Sequence, residues 1–169
     1  MSTKEEDIHK FFERNPDFIL NDDYKKAHSK LTLSRDGSEL IPDFVLEPVD
    51  QEKFCDLLEI KSTFQKVFVI KKNRVRFSSA VYEACAQLRT YSLFFDDERN
   101  RYKVFNKHGV NIYKPRMFLI IGRKGKTNQI DAINASLDLP YVTIRSYDDV
   151  LSMAANKLNK IGYRIKSRD

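Results

Sequence analysis

Cysteine, glycine and proline are all scarce in this 169-residue chain, with two, five and five copies. The two cysteines, Cys55 and Cys85, sit inside apolar patterns. They exclude a disulfide framework and point to a reducing, cytoplasmic compartment. No apolar run approaches the roughly 18 residues needed to span a bilayer, so no membrane association is expected. The N-terminus, Met1-Ser2-Thr3-Lys4-Glu5-Glu6-Asp7, is acidic and lacks the apolar core of a signal peptide. Internal repeats and low-complexity tracts are absent, which excludes solenoids and disordered linkers.

What remains is an ordinary globular composition, 41% hydrophobic and 32% charged. The length suits one domain over residues 1–169 and is too short for two. Thirty Lys+Arg against 24 Asp+Glu leave a net charge of +6. That excess alone favours a polyanionic partner only weakly, and its distribution says more. Basic residues gather at Lys71-Lys72-Asn73-Arg74-Val75-Arg76, at Arg123-Lys124-Gly125-Lys126 and in the tail Tyr163-Arg164-Ile165-Lys166-Ser167-Arg168.

The spacing predicts a first helix over residues 4–14, with Ile8, Phe11 and Phe12 on its apolar face and Asn15-Pro16 ending it. Glu5 borders that face, whereas Glu6 falls nearly opposite. Phe18-Ile19-Leu20 reads as a buried connector. A strand around Leu31–Ser34 and a turn at Asp36-Gly37 follow. Next come two strands, Pro42-Asp43-Phe44-Val45-Leu46 and Leu57-Leu58-Glu59-Ile60-Lys61, with a turn-like Glu47-Pro48-Val49-Asp50 between them. Val67-Phe68-Val69-Ile70 is strand-like. Ser78 or Ser79 caps a long helix that reaches about Phe95. Val81, Cys85, Leu88 and Ser92 form one face of this helix. A second stripe, Ala80, Ala84, Gln87 and Tyr91, lets it approach a sheet closely. Asp96–Tyr113 is charged and reads as a loop or an excursion with weak strands.

The last third predicts a doubly covered strand at Met117–Ile121 ending at Gly122, then a helix over Thr127–Leu137 with Ile130, Ile133 and Leu137 on one face. A strand at Tyr141–Ile144 precedes a Ser146/Asp149 capping arrangement. Val150, Leu151, Ala154, Ala155 and Leu158 mark a final amphipathic helix stopped by Gly162. Strand–helix–strand–helix order implies parallel pairing in this half, after a meander in the first.

Successive side chains of a strand point to opposite faces, so Glu59 and Lys61 share one face while Leu58 and Ile60 take the other. With Asp43 on the neighbouring strand, two readings fit: an ion pair at a strand edge, or a metal site. Asp43 and Glu59 are hard oxygen ligands, and Mg²⁺ commonly uses one or two carboxylates plus substrate phosphate. The Ile60 carbonyl is a further candidate ligand. Lys61 is placed to orient or help deprotonate an attacking water and to offset charge building on a phosphate. The metal would lower the water's pKa and polarise the phosphoryl oxygen. This donor set permits phosphodiester hydrolysis. His9, His28 and His108 show no metal spacing and are expected at surface or structural positions.

The order helix–strands–helix–strand, with Pro42-Asp43 and Glu59-Ile60-Lys61, resembles the PD-(D/E)xK superfamily of restriction-endonuclease-like folds. Gln87-x-x-x-Tyr91 is similar to the extension on the helix after the core strands in several of its branches. A closer resemblance, to the Shedu family of bacterial anti-phage nucleases, covers nearly the whole chain. It rests on Glu5…Ile8-His9-Lys10-Phe11-Phe12…Asn15-Pro16, Ile41-Pro42-Asp43-Phe44-Val45-Leu46, Leu58-Glu59-Ile60-Lys61-Ser62, Ala86-Gln87-Leu88-x-x-Tyr91, Lys114-Pro115-Arg116…Ile120-Ile121-Gly122-Arg123 and Tyr147-Asp148-Asp149-Val150-Leu151.

The resemblance implies an α/β fold, a restriction-endonuclease-like mixed central sheet flanked by helices in the rough order αβββαβαβα. It implies a Mg²⁺-dependent DNA endonuclease, with Mn²⁺ as a substitute. Asp43 and Glu59 would be the metal ligands and Lys61 catalytic; Gln87 would lie near the scissile phosphate and Glu5 would supply an outer carboxylate. Family members carry an additional N-terminal region, whereas this chain begins almost at the first nuclease helix. The expectation is therefore a stand-alone nuclease or one controlled by a regulatory partner. Double-strand cleavage would favour a homodimer or homotetramer. The alternatives are a catalytically silent nucleic-acid-binding domain on the same fold and a small α/β interaction protein with a chance ion pair.

Overall fold

The computed structural model describes residues 5–35 and 38–166, with side chains over 5–34 and 39–159. The expected turn at Asp36-Gly37, Lys4, and the tail residues Ser167 and Arg168 lie outside the described residues. Helix α1 (Glu5–Arg14) opens with Glu5, Glu6 and Asp7 and closes with Arg14, charges that complement its dipole. Its inward face is Ile8, His9 and Phe12, and Phe11 is exposed. A single 3₁₀ turn (Pro16–Phe18) leads to strand β1 (Tyr24–Ser29), where no strand was expected. Its sequence, Tyr-Lys-Lys-Ala-His-Ser, shows no clean apolar alternation because β1 is a sheet edge with one strand neighbour.

A small ribbon of β2 (Leu33–Arg35) and β3 (Ser38–Leu40) precedes β4 (Phe44–Pro48) and β5 (Asp56–Ile60). Strand β4 runs through Glu47 and Pro48, which the sequence reading placed in a turn. Pro48 is tolerated because it pairs with Tyr24 at an irregularity in the β1 register, beyond the last β4–β5 pair, Leu46 with Asp56. The basic stretch after residue 66 forms a hairpin, β6 (Phe68–Lys71) and β7 (Arg74–Phe77). Helix α2 (Ser79–Phe94) starts at Ser78, whose side chain accepts from the Val81 N–H.

Helix α3 (Glu98–His108) replaces the expected irregular excursion. Val104 is its buried residue, so it lacks an apolar stripe; its signals are the caps, Asp97 at the start and left-handed Gly109 at the end. Strand β8 (Met117–Ile120), helix α4 (Gln129–Ser136), strand β9 (Val142–Arg145) and helix α5 (Tyr147–Lys166) complete the chain. The Ser146–Asp149 capping contact is present, with Ser146 Oγ donating to Asp149 Oδ2 at 2.7 Å. Helix α5 continues past Gly162 to Lys166. A helical glycine costs only about 1 kcal/mol and need not end a helix.

The five-stranded mixed sheet has the order β1-β4-β5-β8-β9, antiparallel through β5 and parallel from β5 to β9. The α/β class, the meander and the parallel second half are as expected. Strand β5 is central and buried along its whole length. Leu57 and Leu119 join Val81, Cys85 and Leu88 of α2 in one core. Leu58, Ile60, Phe44 and Ile120 join Ile8 and Phe12 of α1 and Val150 of α5 in the other. One expected apolar face does not pack and another packs only in part: Ile130 and Ile133 of α4 and Leu137 at its C-cap are exposed, and on α5 Val150 is buried while Leu151, Ala155 and Leu158 are exposed. Helix α4 turns its small Ala135 inward and packs against β7. No helix among the described residues is long and apolar enough to cross a membrane.

Candidate active site

At the C-terminal end of β5, period-two alternation sends Glu59 and Lys61 toward α2. Asp43 lies immediately before β4, and its Oδ2 accepts from the Ile60 N–H at 2.8 Å. Lys61 Nζ donates to Glu59 Oε1 at 2.7 Å and to Gln87 Oε1 at 3.0 Å. Gln87 is held in turn by its Nε2, which donates to the Tyr91 hydroxyl, and that hydroxyl donates to the Ile41 carbonyl. Glu5 Oε1 of α1 is 3.9 Å from Lys61 Nζ. The structure thus brings Glu5, Asp43, Glu59, Ile60, Lys61 and Gln87 together.

Two contributors fall outside the sequence reading. His9 takes the structural alternative of the expectation and is buried; it stacks on Phe44 with ring centroids 4.7 Å apart, and its Nε2 is 3.2 Å from the Asp43 carbonyl oxygen. Its signal is position: His9 follows Glu5 by four residues, one turn along the same helix face. Tyr147, at the start of α5, donates its hydroxyl to the Lys61 carbonyl at 2.7 Å and stacks on Phe12. That contact spans 86 residues and has no local signature.

The electrostatics are those of a crowded, desolvated carboxylate pair. Burial, and then the neighbouring Asp43, push the Glu59 carboxyl up to about 7. Burial also raises Asp43. Burial disfavours the Lys61 ammonium, but Glu59, Glu5 and Asp43 outweigh it and hold its pKa above the ordinary lysine value. A second carboxylate on β5, Asp56, shows what a structural acid looks like here. Its Oδ1 accepts from the Arg116 N–H, and its Oδ2 accepts from Tyr24 Oη and Arg116 Nε. Glu59 Oε2, by contrast, is buried with no hydrogen-bond partner.

An orphaned buried carboxylate oxygen beside a second carboxylate is the donor chemistry a hard divalent cation completes. No group of three or more His, Cys, Asp or Glu among the described residues could hold a metal by itself. Two carboxylates with remaining positions filled by water and phosphate suit Mg²⁺. The residues fit the ion.

The basic runs divide. Arg123 and Lys124 are turned to the start of α5: Arg123 Nε and the Lys124 backbone N–H donate to Asp148, both at 2.8 Å, and Lys124 Nζ is 3.9 Å from Asp149 Oδ1. The C-terminal run falls where side chains are not described. The run over 71–76 forms the exposed β6–β7 hairpin.

No curated protein matches the chain. The sequence profile of the family described as "Shedu protein SduA, C-terminal" matches residues 2–151, which include every site residue named above. The chain belongs to the Shedu family.

Proposed function

We propose that this domain is a divalent-metal-dependent DNA endonuclease, Mg²⁺ being the physiological ion and Mn²⁺ a substitute. The observation that carries the reading is the buried, unpartnered Glu59 Oε2 beside Asp43, a few ångströms from a lysine held in place. Asp43, Glu59 and the Ile60 carbonyl would hold the cation. Once bound, it would lower the pKa of the attacking water and polarise the phosphoryl oxygen.

The chain's own residues do the rest. Lys61 is kept protonated by its acidic neighbours, so it serves as a hydrogen-bond donor and positive charge facing the phosphate, rather than as a proton acceptor. Gln87 fixes the direction of that ammonium, and Tyr91 fixes Gln87. Tyr147 and His9 tether the backbone carbonyls of Lys61 and Asp43, so the two ends of the site are set by helices α5 and α1. Glu5 adds an outer carboxylate. Shedu membership supports a role in bacterial anti-phage defence. The rival reading is a silent binding domain. Against it stands Glu59, whose burial without a full set of partners has no structural benefit.

The test is nicking of supercoiled plasmid with Mg²⁺ or Mn²⁺ by the wild type, Glu59→Ala and Lys61→Ala. Removal of a metal ligand or of the charged donor is expected to slow nicking by about 100-fold or more. Equal nicking by all three proteins, or none with any metal, overturns the reading.

A further inference from the structure

The 23 residues from Ile60 to Tyr82 contain six cations (Lys61, Lys66, Lys71, Lys72, Arg74 and Arg76) and no aspartate or glutamate. Lys61 belongs to the candidate site, and four of the other five lie on the β6–β7 hairpin. Among the described residues, no carboxylate lies within ion-pair distance of Lys71, Lys72, Arg74 or Arg76. Lys71 and Arg74 are directly paired across the hairpin. Like charges placed opposite each other destabilise a β-ribbon. No described carboxylate offsets that repulsion, so the tip suits an anion outside the fold.

The hairpin is also built to hold its shape. Phe68 and Phe77 stack at its root, with centroids 5.2 Å apart, and the Ser78 N–H donates to the Val67 carbonyl at 2.9 Å. Lys72 and Asn73 at the tip both have positive φ, 50° and 58°, the pairing of a tight two-residue turn whose twist suits the strands. From Lys71 to Arg74 every residue is exposed, and Ile70 beside them is 77% exposed.

Its place in the chain ties it to the site. The hairpin lies between β5, which ends one residue before Lys61, and the helix carrying Gln87, and its last residue precedes the α2 cap. Counting the helix rise and the strand length, its tip lies at most about 30 Å from Gln87. One turn of B-form duplex is about 34 Å. The major groove of B-DNA admits a two-stranded ribbon, whereas the deep, narrow major groove of A-form RNA does not.

We propose that the β6–β7 hairpin is the duplex-DNA grip of this domain: its ribbon enters the major groove beside the cleaved phosphate, and Lys71, Lys72 and Arg74 neutralise backbone phosphates. This rests on the nuclease reading for the identity of the polyanion, and it names the element that holds it.

The test is fluorescence anisotropy with a labelled 30-base-pair DNA duplex in EDTA, across a salt series. The Lys71→Ala/Lys72→Ala/Arg74→Ala protein is expected to bind at least tenfold more weakly, with the salt slope reduced by roughly three. Its melting temperature should be unchanged or higher, because the opposed charges are gone. Lys71→Arg/Lys72→Arg/Arg74→Lys should bind within about threefold of the wild type, since phosphate neutralisation follows the charges. Triple-alanine affinity within twofold of wild type overturns the proposal. So does a wild type that binds no DNA duplex, or that prefers an RNA duplex or phosphatidylserine vesicles. Plasmid nicking by the triple-alanine protein at wild-type KM overturns the grip alone. Absence of nicking by the wild type overturns the nuclease reading, while the EDTA titration still decides the hairpin.

Discussion

His9 and Asp43 join the first helix to the start of β4: the imidazole Nε2 lies 3.2 Å from the Asp43 carbonyl oxygen and 3.7 Å from its Oδ1. Neither residue is near the other in sequence, and each is held from behind. The His9 ring stacks on Phe44, while Asp43 Oδ2 takes the Ile60 N–H. Helix α1 therefore sets where a proposed metal ligand can sit.

His9→Ala should loosen that ligand. Groups that orient a metal ligand typically contribute 10–100-fold in metal affinity, and a similar loss is expected here in a Mg²⁺ or Mn²⁺ titration by calorimetry. Deleting a buried ring should also lower stability by about 2–4 kcal/mol. Retained metal affinity in a protein that has lost stability would reduce His9 to a core residue.

The Glu59 carboxyl gives the metal-free protein a pH dependence of definite sign. Its folded pKa of about 7 lies above the ordinary 4.5. The folded state thus binds the proton more tightly than the unfolded chain does. That stabilisation is complete below about pH 4.5 and is lost as pH rises through about 7. Between these limits the metal-free protein should lose about 1–3 kcal/mol, measured by urea unfolding in EDTA. Asp43 is raised as well and acts in the same direction. Glu59→Gln should flatten most of the profile, and Mg²⁺ should restore stability above pH 7. A flat wild-type profile would remove the case for strained carboxylates.

Gly122 follows β8 with φ of +59°, and a Cβ there would run into the Gln65 carbonyl oxygen. Gly125 shares the positive φ, at +62°, but faces open space. Gly125→Ala should therefore cost only the conformational penalty, about 1–2 kcal/mol. Gly122→Ala adds a backbone collision and should cost at least about 3 kcal/mol. Chemical denaturation of the two variants separates these contributions. Equal losses would mean that the close approach of the 62–65 segment is relieved by a backbone shift.

Several features of the site are legible in residue order because they need only local geometry. Period two alone puts Glu59 and Lys61 on one face, and helical spacing alone puts Gln87 in register with Ala80, Ala84 and Tyr91. Glu5 at the border of the α1 stripe is legible for the same reason. Tyr147 is not, because it meets Lys61 across a long chain separation; His9 is legible only as a residue on the Glu5 face, since its partner Asp43 is also distant in the chain. Helix α3 is missed by apolar periodicity since it buries little, although Asp97 and Gly109 mark its ends. The α4 stripe misleads: Ile130, Ile133 and Leu137 have helical spacing, yet the close packing against β7 goes to Ala135.

The sequence by itself determined the α/β class, the change from meander to parallel pairing, and the face shared by Glu59 and Lys61. Backbone periodicity and connection order suffice for these. Only the tertiary structure decided that Glu59 Oε2 is buried without a partner while Asp56, on the same strand, is fully bonded. Only it showed that Arg123 pairs with Asp148 and Lys124 Nζ faces Asp149, whereas the hairpin cations have no described carboxylate within reach. Both distinctions depend on what other parts of the chain bring to a charged group. Desolvation and pairing are properties of an environment, which forms only when distant elements pack.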